Sequence, residues 1–169
     1  VWDTMIKLTK SLAFDWTAKA DADAVLIPSR LKQHLAALRP PAYRPLYIKH
    51  NAMDPGMGNN GFLGAVEVFS KQAVSIYGDN ADGCRASLGI NAGEDGFFKG
   101  CMDALGVGFM VDPQLFNPDK SAGACNIAGR AAFHPLKTPK DWRCCLDISN
   151  GIPHNVVYGN CEMVYPVPT

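Results

Sequence analysis

The sequence has no long apolar run, no glycosylation sequon and none of the short motifs of the common enzyme classes. No stretch of its 169 residues approaches the roughly eighteen apolar residues that a membrane-spanning helix needs. It contains no Asn-x-Ser/Thr, G-x-S-x-G, H-E-x-x-H, P-loop or Rossmann glycine pattern. We therefore expect no membrane span, whereas the missing motifs are only weak evidence against an enzyme.

Charge is also scarce, at 19% of residues with a formal net charge of zero. The first 50 residues carry eight Lys or Arg against four Asp, but no two basic residues are adjacent. This spacing is typical of a solvated surface, so we expect no nucleic-acid partner. The length and the 47% hydrophobic content fit one domain that buries its own core. We predict a single domain over residues 1–169, as a monomer.

Cysteine is absent from the first 83 residues and then occurs six times. The even count, without C-x-x-C or zinc-ligand spacing, predicts three disulfides in an extracellular protein. Free thiols in a reducing compartment are the alternative, and the spacing leaves the connectivity open. The start at Val1 without a basic-then-apolar leader agrees with secretion after signal-peptide removal. The six disulfide candidates are Cys84, Cys101, Cys125, Cys144, Cys145 and Cys161.

Apolar residues at three- and four-residue steps predict helices in the first third of the chain. The stripe from Trp2 to Trp16 predicts one amphipathic helix, with Leu8 and Leu12 in the core. Pro28 and Ser29 open a second helix that ends before Pro40-Pro41.

The middle of the chain predicts a further helix, a loop and a short helix. Residues 62–77 fit a helical stripe with Gly78 as C-terminal cap, although a strand is the alternative. Residues 78–96 are rich in Gly, Asp and Asn and predict a long loop held by Cys84. A helix over residues 97–105 carries Cys101.

Three further segments predict strands, at residues 43–50, 108–112 and 127–133. The first should be an edge strand because Pro45 cannot donate to a central ladder. The C-terminal segment predicts a β-hairpin whose first strand carries Cys144 and Cys145 and whose second strand carries Cys161. Because side chains alternate along a strand, the adjacent cysteines would face opposite ways and bond to different partners.

These elements predict an α+β fold, in which amphipathic helices pack on one face of a small antiparallel sheet stabilised by disulfides. Its C-terminal half would depend on the disulfides. The first half contains no cysteine, so packing alone must hold it.

The sequence offers little support for metal or cofactor chemistry. Residues 79–83 are similar to a calcium loop, but Ile90 stands near the position where a bidentate Glu is required. The histidines fall on separate predicted elements and favour surface or capping roles over general-base catalysis. We therefore expect neither a cofactor nor a metal. The four histidines are His34, His50, His134 and His154.

Two functional hypotheses follow from the remaining residues. Trp142 and Arg143 are adjacent, and Trp and Arg dominate interface hot spots, which favours a protein partner. A buried Trp142 beside a solvated Arg143 is the alternative. The rival hypothesis is a secreted hydrolase that acts on carbohydrate with two carboxylates as acid and base. Its candidates are Glu67, Glu94, Asp95 and Glu162.

The compact chain with six cysteines and no catalytic motif resembles the small secreted effectors of plant-pathogenic fungi. Within these it is similar to the LARS group of avirulence and suppressing effectors, which carry a Trp-Arg-x-Arg element. Trp142 and Arg143 match the first half of that element, and Cys145 stands in place of its second Arg. The resemblance implies an apoplastic or host-delivered, non-enzymatic protein. Its surface would be recognised by plant immune receptors or would hide another protein from them.

Overall fold

The computed structural model describes most of the chain. It covers residues 2–8, 11–41, 43–50, 61–88, 93–117, 125–152, 154–157 and 160–163. Side chains are described there except at residues 8, 11, 117, 154–157 and 160–163. Five helices and three small sheets within these ranges form an α+β fold with disulfides, as the sequence predicts. Among the described residues, no helix is both long enough and apolar enough to cross a membrane.

Some helices have the bounds that the sequence predicts, and others extend past the predicted bounds. Their bounds are α1 Trp2–Leu8, α2 Pro28–Leu38, α3 Lys71–Leu88, α4 Gly93–Ala104 and α5 Pro139–Ser149. The prediction of α2 is confirmed, with Pro at its first turn. The prediction of a long loop over residues 78–96 is wrong, because α3 continues to Leu88 and α4 begins at Gly93. Gly78 is therefore an interior helix residue and not a cap.

The larger sheet has four strands in the order β1-β4-β3-β5. They are β1 Trp16–Ala20, β3 Leu46–Lys49, β4 Val66–Ser70 and β5 Gly108–Val111. β3 runs antiparallel to β4 and parallel to β5, so the sheet is mixed and β3 is not an edge strand. Pro45 lies just before the ladder, where its missing N–H removes no ladder hydrogen bond.

Helices cover both faces of this sheet, which corrects the prediction of one covered face. Tyr47 and Phe69 belong to a core with α1, α3 and α4, whereas Ile48 and Val68 belong to a core with α2. All five residues of β4 are buried. A strand buried on both faces has no alternating pattern, which explains why residues 62–70 are wrongly predicted as helix.

The predicted N-terminal helix divides into two elements. α1 ends at Leu8, a 3₁₀ turn covers Ser11–Ala13, and Trp16 begins β1. Trp2 is buried at 2% exposure, but Leu12 is 41% exposed and lies outside the core. The chain forms a strand after residue 15 because five residues of β1 pair with β4, which satisfies their backbone groups.

A second sheet has the order β2-β7-β6, and a hairpin of β8 and β9 follows near the C-terminus. The bounds are β2 Val25–Leu26, β6 Phe116–Asn117, β7 Ala132–Phe133, β8 His154–Val157 and β9 Asn160–Met163. The predicted C-terminal hairpin is present, but its first strand is β8. The predicted first strand, around Cys144 and Cys145, is the helix α5.

The helical state of α5 has a local cause. Thr138 caps the helix: its Oγ accepts a hydrogen bond from the Asp141 N–H at 3.1 Å and donates to the Asp141 carboxylate at 2.7 Å. Pro139 occupies the first helical position. The sequence Thr-Pro-Lys-Asp thus supplies an N-cap Thr followed by Pro at N1, a helix-start signal that the alternating strand pattern conceals.

Two disulfides join described side chains. Cys84 on α3 is bonded to Cys101 on α4, and Cys125 is bonded to Cys145 on α5. Cys144 is also disulfide-bonded, and none of the described cysteines is free. The prediction that Cys144 and Cys145 have different partners is confirmed. Cys161 lies on β9, and its side chain is outside the described part.

Candidate functional site

Trp142 and Arg143 lie on α5 and line one groove, which has a volume of about 480 Å³. The groove lies between the turn after β1, the segment that follows β7, and the start of α5. The Trp142 indole N–H donates to the Ala24 carbonyl at 2.9 Å, so the ring is fixed against that turn. Arg143 is exposed. The other lining residues are Ala22, Asp23, Leu136, Lys137, Thr138 and Pro139.

Two aspartates occupy the turn between β1 and β2. Its backbone is held by hydrogen bonds from the Asp21 N–H to the Ala65 carbonyl and from the Ala24 N–H to the Asp21 carbonyl, both at 3.0 Å. This turn places Asp21 and Asp23 where the chain leaves the central sheet. Their side chains are 41% and 24% exposed.

Strand pairing brings His134 to these aspartates from a distant part of the chain. β2 and β7 are antiparallel with Val25 opposite Phe133, so His134 comes opposite the residue that follows Asp23. The Leu136 N–H also donates to the Asp23 carbonyl at 2.8 Å. The His134 Nε2 lies 3.3 Å from the Asp23 Oδ1.

Asp21, Asp23 and His134 each offer one ligand atom, and these three atoms lie within 4.8 Å of one another. Two carboxylate oxygens and one imidazole nitrogen are suitable donors for Mg²⁺, Mn²⁺ or Zn²⁺. All three side chains are partly exposed. A cation bound by them would retain coordination positions toward solvent and the neighbouring groove. His134 lies far from the two aspartates along the chain, so the spacing of these residues does not predict the cluster, and no metal is expected from the sequence.

Lys137 lies beside the cluster and forms an ion pair with the Asp23 carboxylate. The hydrogen bond from Lys137 lowers the pKa of Asp23, with a further lowering from the charge of His134. Asp23 is thus held as a carboxylate, the form that binds a cation. Lys137 is 72% exposed and can move toward an anion in the groove without a burial cost.

Lys19 connects Asp21 to the carboxylates that the hydrolase hypothesis named. Its ammonium lies 3.2 Å from Asp21, 3.3 Å from Glu67 and 2.7 Å from Glu94. Burial acts to lower the pKa of Lys19, but the hydrogen bond to Glu94 and the three nearby carboxylates raise it above its usual range. Lys19 therefore stays charged, and it holds Asp21 and Glu94 around one ammonium group.

Glu67 is fully buried on β4, on the face that carries Phe69. The Trp2 indole N–H donates to its Oε2, and Lys19 contacts its Oε1. Burial raises the pKa of Glu67 to about 7, although the hydrogen bond from Trp2 and the charge of Lys19 oppose the rise. Because the Glu67 side chain is fully buried and does not line the groove, its carboxyl is poorly placed to contact a substrate.

Glu94 and Asp95 occupy the first turn of α4. Glu94 is 42% exposed. Asp95 packs tightly against Gly64, since a Cβ atom at Gly64 would lie only 2.7 Å from the Cβ of Asp95. Glycine at this position thus allows α4 to approach the segment before β4. Of the four predicted carboxylates, the structure brings Glu67 and Glu94 together, and the side chain of Glu162 lies outside the described part.

Of the other described histidine side chains, His34 and His50 do not belong to the cluster, although the rings of His50 and His134 pack on the same Phe116 ring. His34 on α2 is held at 2.6 Å by the Asp112 carboxylate and at 2.6 Å by the Gly129 carbonyl. His50 packs its ring against Phe116, with ring centroids 6.1 Å apart. The side chain of His154 is not described. His34 lies inside α2 and caps no helix end, whereas His134 belongs to the Asp21–Asp23 cluster.

Comparison of the sequence with protein-family models and with curated proteins gives no match. The feature of the described structure that points to a function is the set of two aspartates and a histidine beside a groove that carries Lys137 and Arg143.

Proposed function

We propose that the protein is a metal-dependent glycosyltransferase that uses a sugar activated as a nucleoside diphosphate. The observation that carries the proposal is the convergence of Asp21, Asp23 and His134 within 4.8 Å at the edge of the Trp142–Arg143 groove. Mg²⁺ and related cations are commonly bound by one or two protein carboxylates together with substrate phosphates.

The groove residues complement a diphosphate. Lys137 and Arg143 are exposed cations that line the groove. An arginine guanidinium binds phosphate oxygens in bidentate fashion, and a lysine ammonium supplies a point charge. Trp142 adds an aromatic side chain at the same wall, and its fixed indole offers an apolar surface for a base or sugar ring. The two charges of the donor diphosphate, and the third that develops as the diphosphate leaves, would thus meet two cations beside the candidate metal ligands.

The reaction needs a base for the acceptor hydroxyl, and the start of α4 supplies a carboxylate near the cluster, because Glu94 shares the Lys19 ammonium with Asp21. A bound cation would supply positive charge to the diphosphate leaving group. Glu94 or Asp95 would accept the proton of an acceptor hydroxyl as its oxygen attacks the anomeric carbon. The bond between that carbon and the diphosphate oxygen breaks, and the diphosphate leaves with the electron pair. This assignment retains the carbohydrate substrate of the rival sequence hypothesis but replaces hydrolysis by transfer.

Calorimetric titration with Mn²⁺, followed by UDP or GDP, tests the proposal. The parent protein is expected to bind Mn²⁺ and to bind one of the nucleotides only when Mn²⁺ is present. Asp23→Asn should weaken Mn²⁺ binding by at least about tenfold, since even changes behind a metal ligand cost about 10- to 100-fold.

Asp82→Asn is the matched control, because the Asp82 side chain is 97% exposed on α3, where it forms an ion pair with Arg85. Its Mn²⁺ affinity should equal that of the parent. Unchanged Mn²⁺ affinity in Asp23→Asn would contradict the metal site, and nucleotide binding that is absent or indifferent to Mn²⁺ would contradict the diphosphate donor.

We also propose a second candidate function, a secreted effector-like interaction protein, because both predicted hot-spot residues line the same groove. Arg143 is exposed, and Trp142 is half-buried and fixed, an arrangement that fits an interface anchor beside a charged contact. The disulfides are compatible with an extracellular location. The partner would be a plant immune protein, as the sequence resemblance implies.

Infiltration of the purified, oxidised protein into leaf tissue tests this second candidate. The parent is expected to elicit or suppress a cell-death response, and Arg143→Ala should weaken that effect by removing the exposed cation. Arg44→Ala is the control, since Arg44 is exposed beside a different groove. An equal response from the parent and Arg143→Ala, or no response from the folded parent, would contradict the interaction hypothesis.

A further inference from the structure

We propose that Lys49 is a covalent binding site for a small apolar aldehyde or ketone, which its amine holds as a Schiff base. Lys49 ends β3 and does not line the groove of the proposed function, so this site goes beyond that function. A lysine amine becomes this kind of nucleophile when burial or a neighbouring cation favours its neutral form.

Lys49 lies between the central sheet and α4. It comes two residues after Tyr47 on β3, so it shares the sheet face that carries Tyr47 and packs on α4. The residue is only 5% exposed, although lysine is almost never fully buried without a charged partner. Its Nζ lies 4.2 Å from the centroid of the Phe109 ring on the neighbouring strand β5. The lysine stem thus lies against the sheet and ends beside an aromatic ring.

The Lys49 ammonium has no carboxylate partner within the described part of the chain, and Asp103 on α4 shows why. Both oxygens of the Asp103 carboxylate are already engaged: the Tyr47 hydroxyl donates to Oδ1 at 2.8 Å, and the Lys99 ammonium donates to Oδ2 at 2.6 Å. Asp103 is therefore paired with Lys99, and this pair brings a second ammonium near Lys49. A buried amine beside another cation is favoured in its neutral, nucleophilic form.

The surroundings of Lys49 oppose its protonation. Burial lowers the pKa of the ammonium, and the charge of Lys99 lowers it further, whereas Asp103 acts in the opposite direction. The face of the Phe109 ring attracts the ammonium, but a ring does not replace the full charge of a carboxylate at hydrogen-bond distance. Compared with a solvated lysine, Lys49 therefore holds more neutral amine at neutral pH.

The nitrogen of Lys49 stays accessible although the residue is buried. Among the described side chains, the Thr17 Oγ1 is the polar atom that is both enclosed and without a hydrogen bond. The Lys49 Nζ also lacks a hydrogen-bond partner there, so it must retain some accessible surface. Phe109, which is 49% exposed, borders it and offers an apolar surface on which a substituent of the carbonyl compound can pack.

The covalent step needs no oxidant or reductant. The Nζ lone pair attacks the carbonyl carbon and forms a C–N bond, while the π electron pair of the C=O bond moves to the oxygen. The oxygen takes up a proton and the nitrogen gives one up. Loss of that hydroxyl with the remaining proton of the nitrogen, as water, leaves a C=N bond. One amine and one carbonyl group thus give one imine and one water, and hydrolysis reverses the step.

Labelling of the whole, oxidised protein with benzaldehyde and cyanoborohydride tests the proposal, because cyanoborohydride converts the imine to a stable benzylamine. Peptide mapping by mass spectrometry compares Lys49 with Lys32, an exposed lysine on α2. At about pH 7 the labelling rate of Lys49 is expected to exceed that of Lys32 by at least about fivefold, since the neutral amine is the nucleophile. Lys49→Arg should abolish this fast labelling, and Lys32→Arg, the matched control, should retain it.

Two further readouts separate the reactivity of Lys49 from its accessibility. The excess over Lys32 should narrow as the pH is raised from about 7 to about 9.5, because solvated lysine amines lose their protons as the pH approaches about 10. Lys99→Gln removes the second ammonium and frees the Asp103 carboxylate to pair with Lys49. In this variant the labelling rate of Lys49 at about pH 7 should fall by at least about threefold.

Labelling of Lys49 no faster than that of Lys32 would overturn the proposal. An excess that is the same at both pH values would also overturn it, because aldehyde affinity and not the neutral amine would then direct the labelling. An equal preference for glyoxylate, an aldehyde without apolar surface, would show that the class of ligand is wrong. If Lys99→Gln does not fold, the pH dependence of the parent decides. Asp23→Asn should be labelled like the parent, so the result does not depend on the proposed function.

Discussion

Replacing Phe98 with Ala is expected to lower the free energy of unfolding by about 3 to 5 kcal/mol, the usual range for a buried Phe. Phe98 is 1% exposed on α4. Its ring stacks on Trp2 and meets Phe69 and Tyr77 at centroid distances of 4.8 Å and 4.5 Å. The substitution would leave a cavity where α1, α3, α4 and the central sheet meet.

Denaturant unfolding with the disulfides intact measures this effect. Phe14→Ala is the matched control, because Phe14 is 64% exposed and its loss should change stability by no more than about 0.5 kcal/mol. Equal midpoints for the two variants would show that the aromatic cluster is not a core. The expected difference is independent of the disulfide Cys84–Cys101, which both variants retain.

Glu67→Gln is expected to change how stability depends on pH. The folded-state pKa of Glu67 is raised to about 7 by burial, above its ordinary value of 4.5. Its contribution to stability is therefore fully present below about pH 4.5, where both states are protonated, and is lost as the pH rises through about 7. As the pH rises through this range, the free energy of unfolding of the parent should fall by about 3 kcal/mol relative to that of the Gln variant. Each unit of pKa difference corresponds to about 1.4 kcal/mol.

Unfolding of both proteins at about pH 5 and about pH 8 measures this difference. Groups that titrate equally in the two proteins cancel when the variant is subtracted from the parent, which leaves the contribution of Glu67. The free energy of unfolding of the parent minus that of the variant should fall as the pH rises. If this difference stays constant or increases, Glu67 is ionised throughout this pH range in the folded state.

The elements that the sequence predicted correctly are those whose signals are local. α2 begins at Pro28 and ends before two prolines, and both signals act within a few residues. Gly106, with φ at +72°, follows the end of α4. A short apolar run predicts the strand that the structure has at Gly108–Val111. In each case the backbone preference and the tertiary environment favour the same structure.

The wrong predictions fall where tertiary contacts override the local pattern. Polar, glycine-containing residues 78–88 are helical because Tyr77, Ala81 and Cys84 form a buried stripe and Cys84 is bonded to Cys101. Cys144 and Cys145 are both buried on a helix, whereas alternation on a strand would have turned them to opposite faces. Over so few positions, a pattern of polar and apolar residues fits both the two-residue repeat of a strand and the 3.6-residue repeat of a helix.

The sequence by itself determined the α+β class, the use of disulfides and the α2 helix. Only the tertiary structure decided the candidate site. Asp23 and His134 are far apart in the chain and meet because β2 pairs with β7, and Lys19 links Glu67 to Asp21 by contacting both carboxylates. Such contacts depend on strand register and burial, which arise from long-range packing that no local spacing of residues encodes.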